Sequence, residues 1–198
     1  IETAGINPRE NRIYAIGCMS EMGKVTIFMD ISESKILISF LKHLETSKLD
    51  VIYTYNGTEF DLPFIITRCE LHGIAHPFRI ASRTRTIRTA QVRGTPLTIR
   101  EVFIRNSLHV DIYICVFRWD FVAKELTNGR SLKQAVLEMG LRSQARLVLP
   151  YEEILTCWKA GCGSEGWQKI KEYLTYDLED TQLIANRHLR KIPILLCD

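Results

Sequence analysis

The chain opens on short β-like runs and then switches period. Residues 12–19 (RIYAIGCM) and 24–29 (KVTIFM) are rich in β-branched, aromatic and other apolar side chains, and Ser20-Glu-Met-Gly23 separates them. Two such runs around a Gly-bearing turn predict a β-hairpin. Over residues 32–48, Ile36, Leu37, Phe40, Leu41 and Leu44 recur at three- and four-residue steps. That spacing predicts an amphipathic helix, which Ser32 or Ser34 would cap. Residues 50–55 (DVIYTY) form a short, nearly unbroken apolar run, as expected of a buried strand ended by Asn56-Gly57. A second helix is predicted from Glu59 to about His72, with Phe60, Phe64, Ile65 and Cys69 inward and Gly73 as its stop.

Residues 78–108 interleave Arg with Thr, Val and Ile around a Gly94-Thr-Pro96 turn, which predicts strands and an extra β-hairpin. Residues 109–113 (HVDIY) read as another short strand. Three helical stretches follow, over residues 131–139, 151–159 and about 165–189, the last closed by Pro193. No internal repeat, low-complexity tract or linker interrupts the pattern. The expectation is a single α/β domain over residues 1–198, with its strands first, its helices last and an arginine-rich β insertion at about 78–108.

Composition narrows this only a little. With 198 residues and 46% apolar side chains, the chain is large enough to bury its own core. The longest apolar candidate, residues 31–44, is broken by Ser, Glu and Lys and falls short of the roughly 20 residues of a bilayer span. No membrane partner is therefore expected. The six cysteines are scattered, with no Cys-x-x-Cys pair to suggest zinc. They are expected to be reduced thiols of an intracellular protein. Net charge is +3 overall, but residues 78–108 hold seven arginines against Glu101, a local +6 that leaves −3 on the rest. Such a segment attracts phosphates in a salt-sensitive way.

Three acids stand where a side chain could reach a shared cleft: Glu2 at the end of the first strand, Asp61 at the start of the helix after residues 50–55, and Asp180 on the final helix, one turn after Tyr176. Crowded carboxylates stay ionised only when cations neutralise them. Oxygen-only ligands suit Mg²⁺ or Mn²⁺, and two such ions suit in-line displacement at phosphorus. Each residue also has a plainer explanation. Asn56-Gly57 is a common turn, Phe60 suits a core, Asp61 suits a helix N-terminus, and Tyr176 suits an amphipathic helix. Their order along the chain is what sets them apart.

Residues 50–74, DVIYTYNGTEFDLPFIITRCELHGI, resemble the second exonuclease motif of family B DNA polymerases: a hydrophobic strand, Tyr55-Asn56-Gly57, then Phe60-Asp61, then a helix ending in Gly. Ile1-Glu-Thr-Ala-Gly resembles the first motif, usually Asp-Ile-Glu-Thr, and Tyr176-Asp-Leu-Glu-Asp180 resembles the third, Tyr-x-x-x-Asp. The likeness runs over essentially the whole chain and is to the DEDDy-type proofreading domains of the ribonuclease H-like superfamily. It implies a mixed five-stranded sheet flanked by helices, with the arginine-rich hairpin added. It implies a 3′–5′ exodeoxyribonuclease that uses two Mg²⁺ or Mn²⁺ ions to release nucleoside monophosphates from the 3′ end of single-stranded DNA.

By the same resemblance, Glu2, Asp61 and Asp180 are metal ligands and Tyr176 places the attacking water. Positioning is the better role for a phenol whose pKa is near 10. Thr3, Asn56 and Phe60 would meet the 3′ end; separately, the local charge of residues 78–108 points to Arg83, Arg85 and Arg88 as contacts for the DNA backbone. A polymerase domain or replication proteins are the implied partners, in cytoplasm, nucleoid or nucleus.

Two departures qualify the match. The family's first Asp would stand just before Ile1, so the chain reads as a trimmed portion of a longer protein. Tyr173 and Asp177 also satisfy Tyr-x-x-x-Asp; Tyr176 and Asp180 are preferred because Thr181-Gln-Leu-Ile then follows as usual. Residues 191–198 (KIPILLCD) tilt the choice towards a stand-alone exonuclease over an excised domain. Two other functions compete: a non-catalytic nucleic-acid-binding or scaffold module, and an exonuclease acting on RNA, a choice set by contacts to the 2′-OH.

Overall fold

The computed structural model describes residues 1–87, 97–123, 126–127, 129–143 and 149–189. The predicted hairpin forms from β2 (Ile13–Met19) and β3 (Val25–Met29), antiparallel from Ala15↔Met29 to Met19↔Val25. Its turn is closed by the Ser20 N–H donating to the Lys24 carbonyl at 3.0 Å, with Gly23 at φ 79°, a left-handed conformation that costs glycine little. On the other side of β2 lies β1 (Glu2–Thr3), paired at Glu2↔Ala15, with its register shifted between the two residues. Such a shift lets neighbouring side chains escape strict alternation, and both Glu2 and Thr3 are buried.

Helix α1 (Glu33–Ser47) lays Ile36, Leu37 and Phe40 against this sheet and α2 (Asp61–Leu71). Neither predicted serine caps α1. Ser32 holds the cap position, but its N–H donates to Asp30 Oδ1 at 2.8 Å, and the Ser34 hydroxyl pairs with His72 Nδ1 at 3.2 Å. The buried carboxylate of Glu33 ties the elements together. It accepts from the Ile13 N–H at 2.6 Å and from Arg68 at 2.9 and 2.5 Å, and meets His72 Nε2 at 2.9 Å. Burial pushes this carboxyl up, yet bonds from Arg68, the Ile13 N–H and His72 hold it below its ordinary value.

Strand β4 (Val51–Thr54) runs parallel to β9 (Leu108–Asp111), from Val51↔Leu108 to Thr54↔Asp111, so both strands end at the same edge. The expectation that β4 is buried on both faces fails: Val51 and Tyr53 turn to solvent. Among the described residues β4 has one neighbour, β9, and keeps an outward face. Helix α2 stops as predicted, with Gly73 at φ 64°. The arginine-rich segment forms a two-rung hairpin. β5 (Phe78–Ile80) pairs with β8 (Val102–Ile104), and β6 (Arg85–Ile87) pairs with β7 (Leu97–Ile99). Phe78, Val102 and Ile104 root its base in the core, while Arg79 stacks over Phe103 at 4.7 Å outside.

After β9 the chain turns at once into α3 (Ile112–Ala123), which the pattern does not predict. Its first two residues, Ile112 and Tyr113, belong to the predicted strand 109–113, but Ile112, Val116 and Phe117 are all buried in the helix. Helical packing thus overrides β propensity there. α4 (Leu132–Glu138), α5 (Tyr151–Lys159) and α6 (Glu165–Leu189) occur where expected; Pro193 lies outside the described residues. The side chains of Tyr14, Ile170 and Leu174 join β2 to α6, and Ile112, Val136 and Ile184 join α3, α4 and α6.

The fold is therefore α/β, but the expected single five-stranded sheet does not form among the described residues. The strands make one three-stranded and three two-stranded sheets. β1 has two residues and pairs with β2, too short a ladder to bridge β2 to β4.

Candidate active site

The parallel β4–β9 pair builds the first part of the site. Asp111 sits at the end of β9, opposite Thr54, and reaches into the loop that follows β4. Its Oδ1 accepts from the Asn56 N–H at 2.8 Å and the Tyr113 N–H at 3.1 Å, and its Oδ2 accepts from the Thr58 N–H at 2.8 Å. Asn56 is held at φ 62°, and its carbonyl accepts from the Glu59 and Phe60 N–H groups at 3.3 and 3.1 Å. The loop so fixed delivers Asp61 to the first turn of α2, where a carboxylate is favoured. Sequence reasoning passed over Asp111, although its place in HVDIY, one strand from Asn56-Gly57, was the available signal.

Glu2 arrives from β1 and is buried, 7% exposed. Burial pushes its carboxyl up to about 7; the Ile1 ammonium and Lys133 oppose the rise, and Asp177 and Asp61 add to it. The Ile1 ammonium donates to Asp61 Oδ1 at 2.8 Å. The charges of Asp61 and Asp177 therefore both bear on the Glu2 carboxyl.

The two overlapping Tyr-x-x-x-Asp pairs on α6 separate here. Asp177 is the one whose charge reaches Glu2, and one turn earlier Tyr173 Oη accepts from Lys133 Nζ at 2.5 Å. Asp180 is fully buried and accepts from Arg142 Nε, while Arg142 also donates to Glu179 at 2.7 Å. The Arg142 guanidinium lies 5.4 Å over the Tyr176 ring, whose hydroxyl donates to Glu172 at 3.3 Å. The charges of Asp61 and Asp177 thus bear on Glu2, while Asp180 and Tyr176 lie against Arg142. The helix explains why: a three-residue offset turns a side chain by about 60°, enough to change neighbours.

The remaining candidates are placed as follows. Thr3 is buried, and its hydroxyl donates to the Gly5 carbonyl at 2.8 Å. Phe60 is half-buried, packed 5.6 Å from Phe64 at the rim of the core. Arg83 and Arg85 are exposed on the hairpin, Arg85 paired with Glu101 at 2.9 Å; Arg88 lies outside the described residues. A cavity of about 390 Å³ opens beside Asn56, lined also by Tyr55, Tyr113 and Arg130. His109 bridges Thr54 Oγ1 at 2.9 Å and the Val102 carbonyl at 3.2 Å.

The donor set of Glu2, Asp61 and Asp177 offers only oxygen, the chemistry that suits a hard divalent cation. The set is not drawn tight. Among the described residues, no three His, Cys, Asp or Glu side chains are gathered closely enough to hold an ion.

A profile of the DNA polymerase family B exonuclease domain matches residues 4–124. The catalytic polypeptide of DNA polymerase epsilon from Candida glabrata is 40% identical over 176 residues, 88% of this chain and 7% of that protein. A DNA polymerase from Thermococcus hydrothermalis is 27% identical over 150 residues, 76% of this chain and 8% of that protein. The structure of the family B DNA polymerase from Pyrobaculum calidifontis superposes with a TM-score of 0.73 over 96% of this chain and 24% of its own, at 16% identity. With its α/β architecture and the matched motifs, the chain belongs to the exonuclease domains of family B DNA polymerases. It spans less than a tenth of the two polymerases compared by sequence.

Proposed function

We propose that this chain is a metal-dependent 3′–5′ exonuclease of the proofreading type, built on a ribonuclease H-like plan and acting on the 3′ end of single-stranded DNA. The observation that carries the reading is the match of residues 4–124 to the family B exonuclease domain, supported by Glu2 lying where the charges of Asp61 and Asp177 both bear on it. Those three would hold Mg²⁺ or Mn²⁺, which when bound supplies an activated water and charge neutralisation for phosphodiester hydrolysis. Tyr173, one turn before Asp177, would place that water, and Tyr173 and Asp177 replace Tyr176 and Asp180 in the roles the resemblance assigns. Asp111 would hold the Asn56 loop in shape, so that Asn56 and Phe60 meet the terminal nucleotides. Thr3 would back the first motif from within the fold. The exposed Arg83 and Arg85, with Arg88, would attract the DNA backbone.

The polymerases this chain resembles suggest a polymerase domain, in the same polypeptide or a partner, as the source of mispaired 3′ ends, with replication proteins alongside. A location wherever DNA is copied goes with this. No described helix is long and apolar enough to cross a membrane.

A second reading, a nucleic-acid-binding module without catalysis, is favoured by one observation: the three carboxylates are not drawn into coordinating distance. The test is degradation of 5′-labelled single-stranded DNA, and of the matching RNA, with Mg²⁺ or Mn²⁺. A ladder shortening from the 3′ end, lost in Asp61→Ala and in chelator, is expected. Salt-dependent DNA binding without shortening would instead support the binding module.

A further inference from the structure

We propose that the outer edge of β3 is a self-association surface, where two copies of this chain pair strand against strand, antiparallel, about a twofold axis at Ile27. β3 ends the β1-β2-β3 sheet, and among the described residues its outer edge has no partner strand. Both of its faces are taken. On one, Phe28 packs against Phe40 and His43 of α1, with ring centroids 5.9 and 5.4 Å apart. On the other, Ile27 and Met29 pack against the cluster of Tyr14 and Ile170. What β3 can still offer a partner is its backbone. The strand, Val-Thr-Ile-Phe-Met, holds neither Pro nor a charge, the devices that ordinarily stop an edge from pairing.

Bonded and unbonded pairs alternate along an antiparallel ladder. The Ser20 N–H donating to the Lys24 carbonyl at 3.0 Å sets the alternation, so Thr26 and Phe28 bond to Cys18 and Ile16 of β2. Val25, Ile27 and Met29 then turn their N–H and C=O groups outward. In a twofold pair centred on Ile27, Val25 faces Met29 of the second copy, Ile27 faces Ile27, and Met29 faces Val25. The outward residues therefore meet only one another, and the ladder is self-complementary, as a twofold interface requires.

The side chains at the two ends of the strand agree with this register. It sets Lys24 opposite Asp30 of the second copy, twice over. Lys24 is exposed, and the Asp30 carboxylate accepts from the Ser32 N–H at 2.8 Å; among the described residues neither has an ion-pair partner. Opposite charges directly across a ladder stabilise it. Two residues further on, Met22 comes opposite Ser32 of the second copy. Met22 lies in the β2–β3 turn and is 92% exposed, while beside Ser32 opens a cavity of about 470 Å³ lined by Met29, Ile31, Lys35 and Trp167. A flexible thioether suits such an irregular hollow. Each copy thus supplies a knob at one end of its edge strand and a hollow at the other, and the twofold axis joins both. β1, which carries Glu2, lies on the far side of β2, so this pairing leaves the candidate active site open.

The experiment is sedimentation velocity from about 1 µM to about 1 mM, on the parent, Lys24→Glu, Asp30→Lys and Met22→Asp, and on an equimolar mixture of Lys24→Glu with Asp30→Lys. Far-UV circular dichroism checks that each variant folds. One copy weighs 22.9 kDa, and the parent should move towards twice that mass as concentration rises. Lys24→Glu and Asp30→Lys should each weaken association about tenfold or more, because like charges then face each other twice. Met22→Asp should weaken it by about as much, by placing a carboxylate against the hollow. The mixture should associate as well as the parent, because every charge in the mixed pair meets its opposite.

A parent that stays at 22.9 kDa throughout overturns the proposal and leaves the edge to a strand of some other protein. A dimer indifferent to both Lys24→Glu and Met22→Asp overturns it too, since the contact then lies on another surface. These two variants change exposed side chains alone, so they decide the matter even if Asp30→Lys does not fold. A mixture of folded variants that associates no better than its components overturns the pairing about Ile27.

Discussion

Glu33 offers the sharpest test of how the domain is held. Its carboxylate collects donors from three places: the Ile13 N–H at the start of β2, and the Arg68 guanidinium and the His72 ring at the end of α2. Glu33→Gln keeps the shape but removes the charge. It also sets an amide NH₂, or an oxygen with fewer free lone pairs, against a guanidinium whose side chain is only 13% exposed. Breaking a buried ion pair from one side costs about 3–5 kcal/mol. Arg68 keeps its bond to the Pro8 carbonyl at 3.2 Å, which argues for the low end, about 3 kcal/mol. At roughly 2–4 °C per kcal/mol for a chain of this size, Tm should fall by about 6–12 °C at pH 7.

The pH dependence fixes the cause. The folded carboxyl lies below its ordinary 4.5, so it binds protons less readily folded than unfolded. Its contribution is complete above 4.5 and is lost as pH falls through the folded value. The gap in Tm between parent and Glu33→Gln, followed by circular dichroism, should therefore be widest near neutrality and close in acid. A gap under about 2 °C at pH 7, or one of equal size at pH 3, would refute the argument, since both contradict a charge-dependent buried pair.

Four other outcomes follow from the same structure. Asp177→Asn should cut exonuclease rate at least about a hundredfold with little change in Tm, whereas Asp180→Asn should cost about 3 kcal/mol of stability and leave the rate near the parent's. The reverse pattern in paired activity and melting measurements would return the role to Tyr176 and Asp180. Asp111→Asn should release the Asn56 loop, raising KM for DNA and lowering Tm by a few degrees, read in steady-state kinetics and a melting scan. Arg83→Ala and Arg85→Ala should each reduce the slope of log affinity for single-stranded DNA against log salt by about 0.7 if each meets one phosphate. Gly17→Ala should destabilise by about 1–3 kcal/mol in urea unfolding, because a Cβ there would stand 2.8 Å from Leu174 Cγ on α6.

What sequence reasoning could and could not reach divides along physical lines. α5 and α6 fall where periodicity puts them, because their apolar stripes are long enough to average out local noise. α3 was missed because its opening residues suit a strand locally, and only burial against α4 and α6 makes a helix of them. The second motif was legible as a motif. Its support was not, since Asp111 acts on Asn56 across 55 residues of chain. The third motif was ambiguous for a deeper reason. Two Tyr-x-x-x-Asp pairs offset by three residues both fit the pattern, with Thr181-Gln-Leu-Ile favouring Tyr176 and Asp180, and nothing in the sequence announces that Arg142 pairs with Asp180.

Helix α6 carries one more consequence. Twelve residues separate Asp177 from Glu165 at one end, and twelve separate it from Leu189 at the other. At 1.5 Å per residue the acid stands about 18 Å from either terminus. Helices come apart from their ends, a turn at a time, so thermal breathing has the farthest to travel before it reaches this residue. In hydrogen-exchange terms, the amides around Asp177 should open only with the domain as a whole. The hydrolytic centre would then keep its shape through every partial opening the helix allows, and lose it only when the fold is lost.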